Sequence, residues 1–171
     1  MNVIDLARKQ AKKLSSPKEG ADETDILDTL KKEHREVAAL LKDMVQSESG
    51  AQRKKLLAQI KAALVPHLRA EENVVYHKLT ALKDKDVKQD GIEGEVEHRL
   101  ADRLLAQLSK IENAASPEFS ANAKVLKEMI EHHVKEEESD VWDDVKENFS
   151  EEDRYAMNTA FLSEKKKVRV S

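Results

Sequence analysis

The chain has no cysteine, which excludes disulfides, thiolate catalysis, iron–sulfur clusters and thiolate zinc sites together. Glycine and proline are scarce, four and three among 171 residues, and aromatics make up only 4%. So few turn-formers and β-favouring rings argue against a sheet and for long helices, whose solvated faces the 37% of charged residues would cover. No apolar run approaches the roughly 18–20 residues of a membrane span. Residues 1–14 are too polar for the core of a signal peptide, so the expected location is the cytoplasm. Positive charge is not in excess either. The net charge of -4 gives no general case for nucleic acid, and none is expected as a partner. The length suits one domain able to bury a real core.

What the chain does have is a half written twice. Glu33-His34-Arg35 is followed by a run from His67 through Glu71-Glu72 to Tyr76. Glu97-His98-Arg99 is followed by a run from His133 through Glu137-Glu138 to Trp142. The step between histidines is 33 residues in one copy (34 to 67) and 35 in the other (98 to 133). Four of the six histidines and two carboxylates thus fall on matching positions.

Residues 1 to about 16 have helical spacing and a basic polar face, with Ile4, Leu6, Ala7, Ala11 and Leu14 set among lysines and an arginine. Ser15-Ser16-Pro17 breaks that pattern, and 18–23 reads as a linker. A first main helix is expected from Thr24 or Asp25, either of which can cap it, to about 46. A second runs from about 51 to 82, with Pro66 expected to kink it one residue before His67. A connection at 83–90 precedes a third helix over about 92–113. Ser116-Pro117 starts a fourth that continues to about 148, and Ser150 with Asp153 caps a short last helix that fades into Lys165-Lys166-Lys167. The expected fold is therefore all-α: an antiparallel four-helix bundle over residues 24–149, with a short extra helix in 1–23 and another in 150–171.

Helical faces repeat at three, four and seven residues, so the direction of each histidine is testable. His34 shares a face with Leu27, Leu30, Val37 and Leu41, and His67 with Ile60, Leu64, Val74 and Val75. His98 lies with Ala101, Leu105 and Leu108, and His133 with Leu126, Ile130 and Val141. Glu71 and Glu137 fall on the same stripes, one turn beyond His67 and His133. One such histidine is ordinarily a satisfied core residue. Four at matched spacings, with two carboxylates and no lysine or arginine on those faces, demand cations, because a lone buried carboxylate is rarely tolerated. His77 turns away from this face, and His132 shares its own face with Glu128, Glu136 and Asp140, so both are left out.

Four imidazoles and two carboxylates suit iron, manganese or zinc. Six donors are too many for one tetrahedral zinc. They suit two ions, each taking two imidazoles, with both carboxylates bridging and positions left for water, an oxo or hydroxo bridge, or a small ligand. The pattern His34, His67-x-x-x-Glu71, His98, His133-x-x-x-Glu137 resembles the hemerythrin-like, or HHE cation-binding, family over about residues 25–148. That resemblance implies an up-down-up-down bundle with a non-haem di-iron centre and Glu71 and Glu137 as its bridges. It also implies a small ligand, such as dioxygen, peroxide or nitric oxide, as partner. Oxygen-carrying members have a further histidine four residues along the third helix. Here that position is Asp102, which favours reaction with peroxide or oxidation of the iron over stable oxygen carriage. Ferritin-like centres need two Glu-x-x-His triplets, and only Glu95-x-x-His98 occurs. Tyr76 and Trp142, five residues after each bridging glutamate, are expected to close the bundle near the site. Three readings follow: a di-iron ligand-binding or sensing protein, a di-iron peroxidase or oxidase, and a metal-free interaction bundle. The sequence leaves the oligomeric state open.

Overall fold

The structure, a computed structural model, describes residues 23–170. The basic N-terminal helix expected over residues 1 to about 16 lies outside the described residues. Among those described, every regular element is helical. α1 (Ile26–Gln46) begins where Asp25 accepts a hydrogen bond from the Leu27 N–H at 3.0 Å. α2 (Gly50–Glu71) is capped by Ser49, whose hydroxyl accepts from the Gln52 N–H. It runs through Pro66 without interruption. Winding changes later than the proline suggested, in a π-helical turn, π1 (Glu72–Tyr76), before α3 (His77–Thr80) completes the rod.

α4 (Lys85–Lys110) starts seven residues before the expected position. Asp84 caps it, accepting from the Asp86 and Val87 N–H groups, and the Val87 side chain is buried. Two glycines that would ordinarily weaken a helix sit inside it because neighbours press on them. A Cβ at Gly94 would lie 2.5 Å from the Tyr76 ring, and one at Gly91 would lie 3.0 Å from Thr80. α5 (Pro117–Glu136) opens on the Ser116 cap with proline in its first turn, as expected. It too passes into a π-helical turn, π2 (Glu137–Val141), and then α6 (Trp142–Asn148). α7 (Glu151–Lys167) begins with a capping box between Ser150 and Asp153. At 17 residues it is longer than a fading tail, and it buries Met157 and Phe161.

α1 packs on α2 and α5, α4 packs on α2 and α5, and α7 lies against α1, α2 and π1 in a helical bundle. The apolar interior falls into two layers. One contains Val37, Leu41, Leu64, Ala101 and Ile130; the other contains Leu30, Val74, Val87, Val141 and Phe161. On each long helix the candidate residues stand between a member of one layer and a member of the other. The polar cluster is thus sealed above and below by apolar side chains. Among the described residues no helix is long and apolar enough to cross a membrane.

Candidate metal centre

The structure brings all six candidates to one place. His34, His67, Glu71, His98, His133 and Glu137 are each at most 5% exposed. His34 and His67 form one ring pair, with centroids 5.1 Å apart, and His98 and His133 the other, at 4.9 Å. Each carboxylate touches one imidazole from each pair. Glu71 Oε2 lies 3.4 Å from His67 Nε2 and 3.5 Å from His98 Nε2. Glu137 Oε2 lies 3.3 Å from His34 Nε2 and 3.6 Å from His133 Nε2. The two halves of the repeat are therefore cross-linked through their acids.

Every imidazole is aimed by a second carboxylate at its outer nitrogen. The Nδ1–H of His34 donates to Glu138 at 3.0 Å, and that of His67 to Glu33 at 3.0 Å. The Nδ1–H of His98 donates to Glu72 at 3.1 Å, and that of His133 to Glu97 at 2.7 Å. A carboxylate only accepts, so Nδ1 must carry the proton and the Nε2 lone pair faces inward. Such outer partners orient metal-ligating histidines and raise their basicity. These four glutamates were missed in the sequence, although the signal was there: each is the immediate neighbour of a candidate, in Glu33-His34, Glu71-Glu72, Glu97-His98 and Glu137-Glu138. Two of them are themselves held. Lys165 of α7 pairs with Glu33 at 2.5 Å, and Arg69 holds both Glu72 and Asp102. Asp102 is thereby occupied at the rim and takes no place in the cluster.

Aromatic rings close the walls, again in register with the repeat. Trp142 stacks on His34 with centroids 6.2 Å apart, and Tyr76 meets His98 edge-on at 5.2 Å. Each ring covers the first histidine of the opposite repeat. Phe161 of α7, which the sequence did not mark, stands edge-on to His67 at 5.7 Å. His77 is exposed beside Glu95, and His132 is exposed beside Glu136.

Without a cation this centre is electrostatically awkward. Neither oxygen of Glu71, neither oxygen of Glu137, nor His34 Nε2 has a hydrogen-bond partner. His98 Nε2 and His133 Nε2 face each other at 3.2 Å, although both rings already commit their Nδ1 protons outward. Either an extra proton or a cation has to sit between them. Burial opposes charge throughout. It would lower the His67 imidazole, but the Glu71 charge and the bond to Glu33 carry it up to about 10. Burial likewise works against His34 and His98, and their glutamate partners still raise both. Burial would raise Glu71, yet the His67 charge and the close approach of the His67 and His98 rings hold it well below the usual range. Glu137 goes the other way, pushed up by burial and then by the Glu71 charge. Protons thus occupy the place that cations fit. The donor set matches: His34, His67 and Glu71 converge closely enough to hold one ion, and Glu71, His98 and His133 another.

Residues 25–143 match the model of the hemerythrin HHE cation binding domain. A DNA nickase from Nostoc sp. (strain PCC 7120 / SAG 25.82 / UTEX 2576) is 28% identical over 157 residues, which is 91% of this chain and 44% of that protein. The chain thus spans less than half the length of this curated relative. No solved structure matches the chain.

Proposed function

Since the chain belongs to the hemerythrin HHE cation-binding family, we propose that its buried cluster holds two iron ions and binds or senses a small ligand such as dioxygen, peroxide or nitric oxide. His34 and His67 would hold one ion and His98 and His133 the other, with Glu71 and Glu137 as ligands shared between them. One observation carries this reading: each buried carboxylate touches one imidazole from each ring pair. Four helices running up-down-up-down deliver the two halves of the repeat to a shared centre. When bound, the iron pair supplies redox and Lewis-acid chemistry with room for an outside ligand.

The chain's own residues do the rest. Glu33, Glu72, Glu97 and Glu138 fix the tautomer of each imidazole, so every Nε2 lone pair is presented inward. The apolar layers and the rings of Tyr76, Trp142 and Phe161 keep bulk water away from the carboxylates. Loading displaces the protons that the cluster otherwise holds, so binding is coupled to proton release. Manganese and zinc accept the same donors and compete with iron.

Iron quantitation with an aerobic absorption spectrum tests the proposal. Two irons per chain and a visible band that reverses on degassing support ligand binding. Sustained turnover of peroxide with a reductant supports the second reading, a di-iron peroxidase or oxidase, which the absence of a histidine at Asp102 favours. Purified chain that takes up no metal after supplementation refutes both. The name of the Nostoc relative adds one comparison. Nicking of supercoiled plasmid by the loaded chain would turn the ligand site toward DNA chemistry, against the net charge of -4.

A further inference from the structure

The cluster is sealed by apolar layers, so a cation needs a way in, and one side of the bundle provides it. A cleft of about 100 Å3 opens between α4 and the π2 turn. At its inner end are His133 and Glu137, together with Tyr76, whose fully buried hydroxyl has no hydrogen-bond partner. Toward the outside it is lined by Asp90, Glu93 and Asp140, with Glu97 and Glu136 between. No lysine or arginine is among its lining residues. Beside the mouth, Glu97, the exposed His132 and Glu136 converge closely enough to hold one metal ion.

We propose that this cleft is the loading route for divalent cations, with Glu97, His132 and Glu136 capturing the ion that Glu137 and His133 then receive. The inference rests on the cluster being a metal centre. Three features bear it out physically. The acids are of one sign in a narrow cleft with apolar neighbours, which focuses the field and raises the local concentration of cations. Glu97 belongs to both places: its Oε1 lies 4.0 Å from His132 Nε2 at the surface, and its Oε2 accepts from His133 Nδ1 within. Glu136 and Glu137 are consecutive, so a handover along the start of π2 covers one residue. The charge density at the mouth is also high enough to work against itself. Asp144, next to Asp90, is pushed up to about 6 by burial and the Asp90 charge, and its Oδ2 lacks a partner. A cation relieves that repulsion.

The test follows uptake of cobalt(II), whose coordinated form absorbs visible light, by the metal-free full chain in a stopped-flow instrument. For the unaltered chain, uptake should slow steeply as salt rises from about 0.01 M to about 1 M, where the screening length falls from about 30 Å to about 3 Å. The variant D90N/E93Q/D140N should load about tenfold more slowly at low salt, the lower end of what such focusing supplies, yet reach the same cobalt content. A control, E48Q/E112Q/E118Q, makes the same change in net charge on exposed glutamates at the opposite end and should load at the normal rate. Rates within twofold across all three proteins, or no salt dependence in the unaltered chain, overturn the route while leaving the metal centre standing. A cleft variant that ends with less cobalt overturns it too, by making these carboxylates ligands. An unaltered chain that binds no cobalt at all removes the centre and the route together.

Discussion

Glu71→Gln is the sharpest perturbation of the proposed centre. The amide keeps the shape of the carboxylate, so no cavity opens and packing of the two apolar layers is undisturbed. Only the charge goes, and Glu71 is common to the two buried groups able to hold an ion. Removing one partner from a buried charged pair costs about 3–5 kcal/mol, which is roughly two to three and a half decades of affinity. The consequence is measurable as thermal stabilisation by added metal. At a free concentration about a hundredfold above Kd, metal should stabilise the unaltered chain by about 2.7 kcal/mol. For a chain of this length that is about 5–10 °C in Tm. At the same concentration a hundredfold weaker variant gains only about 0.4 kcal/mol, a shift of about 1–2 °C. Scanning calorimetry with and without manganese(II) or iron(II), paired with metal analysis, reads both quantities. His77→Ala, which removes an exposed imidazole, should keep the full shift. If Glu71→Gln and Glu71→Ala both retain two ions per chain and the normal shift, the bridging assignment is wrong.

Glu138→Ala removes the acceptor that aims His34 and should weaken metal binding about 10–100-fold while keeping two ions at saturation; a titration that matches the unaltered chain would deny Glu138 its orienting role. The pH dependence of the metal-free chain has two opposite limbs. His67 is raised from 6.5 to about 10 on folding, so its contribution is complete below pH 6.5 and drains as pH climbs through 10. Glu71 is held below 4.5, so its contribution is present above that value and lost as the solution turns more acid. Tm of the metal-free chain should therefore decline on both sides of a plateau between those values, and a profile flat from neutrality to pH 10 contradicts the His67 pairing. In weakly buffered solution near neutrality, metal addition should acidify the sample, since cations displace the cluster's protons; a steady pH electrode would contradict that. Gly94→Ala gains about 1 kcal/mol in helix propensity, but its Cβ meets the Tyr76 ring at 2.5 Å. Overpacking of about 1–3 kcal/mol should win, lowering Tm by a few degrees; a rise in Tm would show that the ring moves freely.

The periodicity of the chain was enough to determine an all-helical fold and to single out six side chains on apolar stripes, because helical spacing is local and the repeat states it twice. Caps were legible for the same reason: Asp25, Ser116 and Ser150 act within three residues of themselves. What periodicity could not reveal is which surfaces meet. Glu33 reaches His67 and Glu97 reaches His133 across 34 and 36 residues, while Glu138 reaches back 104 residues to His34. On their own helices these acids read as ordinary solvated charges. The early start of α4 was hidden likewise, since Gly91 and Gly94 discourage a helix until Thr80 and Tyr76 come to lie against them. Phe161 and Lys165 belong to a segment whose sequence read as a short last helix fading into lysines, and only docking on the bundle turned them toward His67 and Glu33. The sequence by itself thus singled out the six candidate side chains. Tertiary packing decided their aim, because an imidazole has two nitrogens and only a partner from another helix chooses which one faces in.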